Sequence, residues 1–357
     1  MMAANTEDFL YKEVLTAVAA QQGQQNTWDV VDNISRAMGS GSEYSRYGDY
    51  FYGLNRLPNL APLPTHQELQ GLVLFTRPSL NLSYDNISYL RPMTHLLTQD
   101  PQSYQYAVRM MLDTVTNRAT VNKSPLVDPY MPYLTLLSNS IVTMSPPPDM
   151  GINTYVSPEG LMKEAWIMND SIAEVHGRYD LTATFNNVKG GAIPMMFHAW
   201  LSYMSAIRIG PAVPHPEARR KDCMDYFTRI ERFKFDTSGR FIEQWFHTGA
   251  SVPTNISIGS AFGYNREEGI EMENKQFSVQ FASVGAVYND PIQLMEFNLR
   301  IENFNKKMAT RGLHYVKIPH SLIAATNYYG YPYINLATYE MEWWIEKELL
   351  DKLTKGL

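Results

Sequence analysis

The segment from Tyr226 to His247 constrains this chain more than any other. Tyr226 to Phe235 is rich in β-formers, Asp236-Thr237-Ser238-Gly239 is turn chemistry, and Arg240 to His247 runs back, a pattern that predicts a β-hairpin. The second arm is apolar on both sides. By period-two alternation Phe241 and Trp245 point one way, and Ile242 and Phe246 the other. A strand apolar on both faces is covered on both, so the second cover is a helix of the same chain or a neighbouring subunit. Composition sharpens the point. Charged residues are 18% against a typical ~25%, while 45% are hydrophobic. A chain short of charge but not of apolar residues buries surface somewhere, and an assembly interface is one place.

Around the hairpin the pattern reads as α+β. Leu72-Val73-Leu74-Phe75 is a short strand, and Pro78 after it favours a sheet edge. Asp100 and Pro101 predict the start of a helix carrying Tyr104, Val108, Met111, Leu112 and Val115. Residues 125–150, with Pro125, Pro129, Pro132 and Pro146-Pro147-Pro148, exclude long regular elements. Leu181 to Phe185 alternates as a half-buried strand, and Phe197, Trp200, Leu201, Met204 and Ile207 form one helical stripe. Gly249 to Pro253 is expected to break the hairpin's second strand, and Phe277 to Phe281 alternates again. At the N-terminus, 7–20 reads as a helix, 21–26 as a polar linker and 39–64 as an extended arm rich in Tyr, Gly and Pro. Met341, Trp344, Ile345, Leu349 and Leu353 predict a C-terminal amphipathic helix. The expected organisation is an N-terminal helix and arm at 1–70, a β domain at 71–305 with a helical, Pro-rich insert at about 85–150, and a C-terminal extension at 306–357.

Chemistry is hard to find in the sequence. The chain has no phosphate-binding glycine loop, no H-E-x-x-H and no G-x-S-x-G. The eight histidines show no metal-ligand spacing, since His314 and His320 are separated by Pro319 and four others. Cys223 is the single cysteine, which excludes an intrachain disulfide. Asp222, Asp225 and Arg219-Arg220-Lys221 flank it, but neither a base nor an oxyanion hole is legible. No catalytic residue, metal or cofactor is expected. The net charge of −6 argues against a protein that grips phosphates, and the basic patch at 219–221 is too small to bind nucleic acid. No signal peptide or membrane span is visible, so a soluble chain made in a cytoplasm is the expectation.

Three stretches, in order, carry a family resemblance: Phe75-Thr76-Arg77-Pro78-Ser79-Leu80-Asn81-Leu82, then Gly177 to Asn186 leading to the helix with Trp200, then Phe241 to Ile256 with its Gly249-Ala250-Ser251-Val252-Pro253-Thr254-Asn255, followed by Phe277 to Tyr288. Together they resemble the tail-tube fold of long-tailed bacteriophages, including the tube-like baseplate proteins that start the tube. The resemblance implies a tail-tube-like β-sandwich or barrel with a packed helix. It implies copies that close their sheets into a hexameric ring, rings that stack into a tube, and DNA that passes the lumen without specific binding. It places ring contacts on 226–247 and 277–288, with Phe241, Ile242, Trp245, Phe246, Phe277, Val279 and Phe281 as candidates. Contacts to a neighbouring ring fall on Phe9 to Tyr52, with Tyr44, Tyr47 and Phe51. Neighbours would be tube, sheath or baseplate proteins of the virion tail, assembled in the host cytoplasm. The chain is longer than a plain tube subunit, which suggests a baseplate junction. Another neck, capsid-decorating or baseplate part, or an enzyme with a scattered site, are the competing readings.

Overall fold

The computed structural model describes residues 70–120, 123–172, 175–188, 190–221, 223–259, 276–323 and 329–350. The expected N-terminal helix, linker and arm, with Tyr44, Tyr47 and Phe51, lie outside them.

A six-stranded antiparallel sheet organises the fold. Its strands are β1 (Gln70–Phe75), β2 (Ile141–Met144), β5 (Val175–Asn186), β6 (Ile230–Phe235), β7 (Ile242–Ile256) and β8 (Gln276–Tyr288), in the order β1-β6-β7-β8-β5-β2. Two short strands, β3 (Thr154–Val156) and β4 (Ile167–Asn169), pair only with each other. β9 (Tyr315–Lys317), β10 (Tyr331–Asn335) and β11 (Glu340–Glu346) make a second, three-stranded sheet. The longer helices are α1 (Tyr104–Leu112), α2 (Ala192–Ile209) and α3 (Pro291–Phe304).

The large sheet is rolled. Phe75 on β1 and Phe185 on β5 stand four places apart in strand order, about 19 Å in a flat sheet. Their ring centroids are 5.7 Å apart, and Phe75 also lies 5.8 Å from Phe281 on β8. The result is a nearly closed, barrel-like wall. A connection spans the remaining gap. Leu134 N donates to Phe75 O at 2.8 Å and Arg77 N to Pro132 O at 2.9 Å, and the helix Thr135–Ser140 then carries the chain to β2 on the other edge. As the prolines foretold, no long element forms in this stretch.

The inner face packs on α2. Phe197 touches Phe185 and Phe281, and Trp200 stacks on Phe197. The indole N–H of Trp200 donates to Tyr226 O at 2.7 Å, so the largest core side chain leaves no polar atom unpaired. Phe197 and Trp200 of the expected stripe are fully buried, while Leu201, Met204 and Ile207 are half-buried. α1 begins at Tyr104, with Ser103 and not Asp100 as its cap; Ser103 Oγ accepts from Tyr106 N at 3.2 Å.

Arg77 explains its place in the quoted motif. Its guanidinium is buried and donates to the carbonyls of Met110, Met111, Asp128 and Met131. Burial lowers its pKa to about 10, against the opposing pull of Asp128. It clasps the end of β1 to the insert, a task that needs a planar fork of donors.

Two expectations fail here for clear reasons. β7 does not break at Gly249 to Pro253. It runs to Ile256, with Pro253 opposite Phe281 and a bulge between Pro253 and Asn255, because a bulge tolerates a residue without a backbone donor. At the same crossing, Gly285 has φ of +71°, and a Cβ on Gly249 would lie 2.8 Å from Val284 O. The backbones meet where no side chain fits. At the C-terminus Met341 to Ile345 lie in β11, since β9 and β10 pair on its two sides; of the expected helix Leu349 falls in a helical segment at 347–350, and Leu353 lies outside the described residues.

Candidate functional site

A structural role directs attention to surfaces, so the sequence-nominated interface residues come first. Ile242, Phe246, Phe277, Val279 and Phe281 are buried within the chain itself. Phe277, Val279 and Phe281 line the inner core with α2. Trp245 is half-buried and Phe241 is at the exposed margin. The structure therefore corrects the nomination: the five buried side chains hold the fold together and are not free to meet another copy.

The facing of the hairpin also differs. A bulge between Lys234 and Phe235 pairs Phe235 with Ile242 but Lys234 with Gln244. The extra residue reverses the alternation. Ile242 and Trp245 thus share the outer face with Phe233 and Phe235, in one core with Leu294, Phe297 and Ile301 of α3. Phe246 faces the other way and packs on Tyr288, with centroids 5.1 Å apart. The second cover anticipated from the sequence is intramolecular. α3 lies on the outer face, and Met308, Tyr315, Ile334 and Met341 extend that core. The start of β7 pairs with the second sheet, where Ile242 N donates to Tyr339 O at 2.9 Å.

A buried polar seam fixes α3 on β6. Arg300 pairs with Glu231, Arg229 with Glu296, and the Tyr133 hydroxyl donates to Glu231 Oε2 at 3.0 Å. Burial raises the Glu231 pKa against the pull of Arg300. His247 lies in the same seam, beside a small cavity lined by Glu231, Trp245 and Leu294. Burial first, and the positive charge of Arg229 second, lower its pKa to about 4. Its Nε2 has no hydrogen-bond partner. A second polar knot centres on buried Asp113, which accepts from Leu82 N at 3.0 Å and Thr116 N at 2.8 Å and meets His215 Nε2 at 3.1 Å. Apart from His247 Nε2, the groups named in both knots find their partners among the described residues. No group of three His, Cys, Asp or Glu suited to a metal occurs among the described residues. No helix among them is long and apolar enough to cross a membrane.

Two exposed surfaces among the described residues bear on a structural role. The first is the outer face of β5 and β8. Thr184 and Ser278 hydroxyls meet at 3.2 Å, and Gln276 donates to Asn186 at 3.2 Å. Exposed Gln280 stands opposite Thr182, and the only charges on the two strands there, Arg178 and Asp180, pair at 3.4 Å. This sheet face is polar and close to neutral. The second is the β3–β4 hairpin, which leaves the sheet at the end of β2 and returns at β5. All six of its strand residues are exposed. The sequence reading assigned no element to residues 151–176, where this hairpin lies. The signal was present in Thr154-Tyr155-Val156 and Ile167-Met168, β-formers on either side of Pro158-Glu159-Gly160.

Against known proteins, a family model described as "Putative phage tail tube protein" matches residues 13–355. Among solved structures, the chain is similar to the tube-terminating cap of the anti-feeding prophage, at 10% identity and a TM-score of 0.26, covering 42% of this chain and 79% of that one. It is also similar to the sheath/tube terminator of the extracellular contractile injection system PVC, at 6% identity and a TM-score of 0.23, covering 42% and 85%. The sheath-tube complex of that system follows at 8% identity, with a TM-score of 0.23 and coverage of 40% and 75%. No curated protein matches.

Proposed function

Because the chain belongs to the phage tail tube protein family, we propose that its copies close into a hexameric ring, that rings stack into a conduit or its baseplate junction, and that DNA passes through the pore during ejection. The role is mechanical, with no catalysis and no cofactor. Each ring templates the next, inside the host cytoplasm, before the tail joins the virion. Sheath or baseplate proteins meet the outside. Tyr44, Tyr47 and Phe51 are assigned to the contact with an adjacent ring on their sequence alone.

The observation that supports this reading best is the bare outer face of β5 and β8. A wall past which DNA slides needs solubility without grip. Short hydroxyl and amide side chains supply the first. A cancelled pair of charges avoids the counterion release that would hold phosphates. We assign this face to the lumen. Electron microscopy of the purified chain tests the ring: annular particles with an open centre and six-fold averages are expected. A monodisperse monomer at high concentration overturns it.

A further inference from the structure

The β3–β4 hairpin is an arm without a core. An isolated two-stranded ribbon is marginal in water, yet this one is closed by a well-formed tip. Ser157 N donates to Trp166 O at 2.9 Å and Gly160 N to Glu164 O at 2.9 Å, with Lys163 at φ of +62°. The arm spends that order on exposing apolar groups. Leu161 is wholly exposed, Met162 87%, Trp166 72% and Ile167 71%, and Tyr155, Met168 and Ile172 are at least half exposed. So many exposed large apolar side chains on one projection mark an interaction site.

The chain also carries a counterpart. On α3, Leu294, Phe297 and Ile301 point into the core, while Ile292, Met295 and Leu299 form a second stripe on the exposed side. Helical spacing continues that stripe to Asn303, and just past the helix end at Phe304 the Lys306 Nζ donates to Asn303 Oδ1 at 3.1 Å. Lys306 and Lys307 are exposed and pair with no carboxylate among the described residues. Between residues 149 and 172 the arm holds Asp149, Glu159, Glu164 and Asp170 against Lys163 alone. An acidic apolar arm and an apolar stripe ending in lysines are complementary in both respects.

We propose that the β3–β4 arm of one copy lies on the exposed α3 stripe of a second copy of this chain, the cross-strand pair Val156 and Ile167 against Met295 and Leu299, with the arm's carboxylates toward Lys306 and Lys307. The occupant is a second copy because both halves of the contact sit on one chain, each bare in the chain that carries it. They also lie at opposite ends of the strand order: the arm joins the β5–β2 edge, and α3 packs beside β6 and β1. Two different patches give a head-to-tail contact, which propagates from copy to copy and closes when the rotation permits. The proposal rests on the ring reading above and supplies it with a specific joint.

Cross-linking between copies tests it. In a Cys223→Ser background, Ile167→Cys and Met295→Cys are made as separate full-length proteins. Mixed under mild oxidation they are expected to give a disulfide-linked dimer that neither gives alone, and Ile167→Asp is expected to weaken self-association by ~100-fold or more, because a carboxylate would be buried in the joint. Leu299→Asp should do the same from the other side, with circular dichroism confirming a folded chain in each case. Rings that form normally from Ile167→Asp, or a mixture without cross-links beside wild-type rings, overturn the joint and leave the ring reading standing. A wild-type chain that stays monomeric overturns both.

Discussion

Two hairpins in this molecule are apolar beyond what one packed face requires, and they have opposite fates. The β6–β7 hairpin has its apolar side chains covered by its own chain: α3 and the C-terminal sheet lie on the outer face, and on the other face Ile230 joins the core with α2 while Phe246 packs on Tyr288. The β3–β4 hairpin is covered on neither. Apolar strand composition therefore states a demand for cover and does not say who meets it. The reading that a partner seals Ile242 and Phe246 put the demand in the right place and the supplier in the wrong one. The exposed apolar ribbon of this chain lies where the sequence reading named no element.

The contrast breaks most sharply in the core. Phe281→Ala should cost about 3–5 kcal/mol, as truncation of a buried aromatic does, read from urea unfolding. A loss below about 1 kcal/mol would mean that this strand is not the chain's own core. The second test concerns His247, whose depressed pKa of about 4 sits below the ordinary ~6.5. Unfolded chains take up the proton first, so the stability this group preserves at neutral pH is lost as pH falls from about 6.5 through 4. The loss amounts to about 3 kcal/mol at most. His247→Gln should flatten that part of the unfolding-midpoint profile relative to wild type.

A smaller effect is expected at the insert. Asp113→Ala removes the cap of the helix Thr114–Ala119 and should cost about 1–2 kcal/mol in thermal unfolding. Burial alone would lower the pKa of His215, but the hydrogen bond and charge of Asp113 raise it overall. The stabilisation from that pair is complete below about 6.5 and fades as pH rises through the folded value, the opposite sign to His247. Asp113→Asn should remove this alkaline-side slope. Least of all should follow from Trp166→Ser on the arm: a change within about 0.5 kcal/mol in the stability of the single chain. A large loss there would show that the arm packs at home, and the contrast between the hairpins would vanish.

Local features of the fold were legible in the residues. The alternation from Leu181 to Phe185 and from Phe277 to Phe281, the stripe through Phe197 and Trp200, and the turn at Asp236 to Gly239 all use short-range periodicity, and each became the element it signalled. What escaped depends on distant partners. Pro253 reads as a stop, yet β8 holds it in a bulge. Met341, Trp344 and Ile345 fit a helical period, yet β9 and β10 claim them for a sheet. One inserted residue near Ile242 reversed the facing of Trp245, and no periodicity rule announces a bulge. The exposed apolar ribbon at β3–β4 was the least legible, because exposure is a property of the finished fold.

Gly249 and Gly285 face each other where β7 and β8 approach closely. There the two longest strands bend together, one glycine in a left-handed conformation and the other with a carbonyl occupying the space of a β-carbon. A methyl group at Gly249 would collide with the Val284 carbonyl, and one at Gly285 would be strained by its φ of +71°. Since the bend helps set how tightly the wall curls, the bore of any channel built from this chain depends in part on two missing carbon atoms.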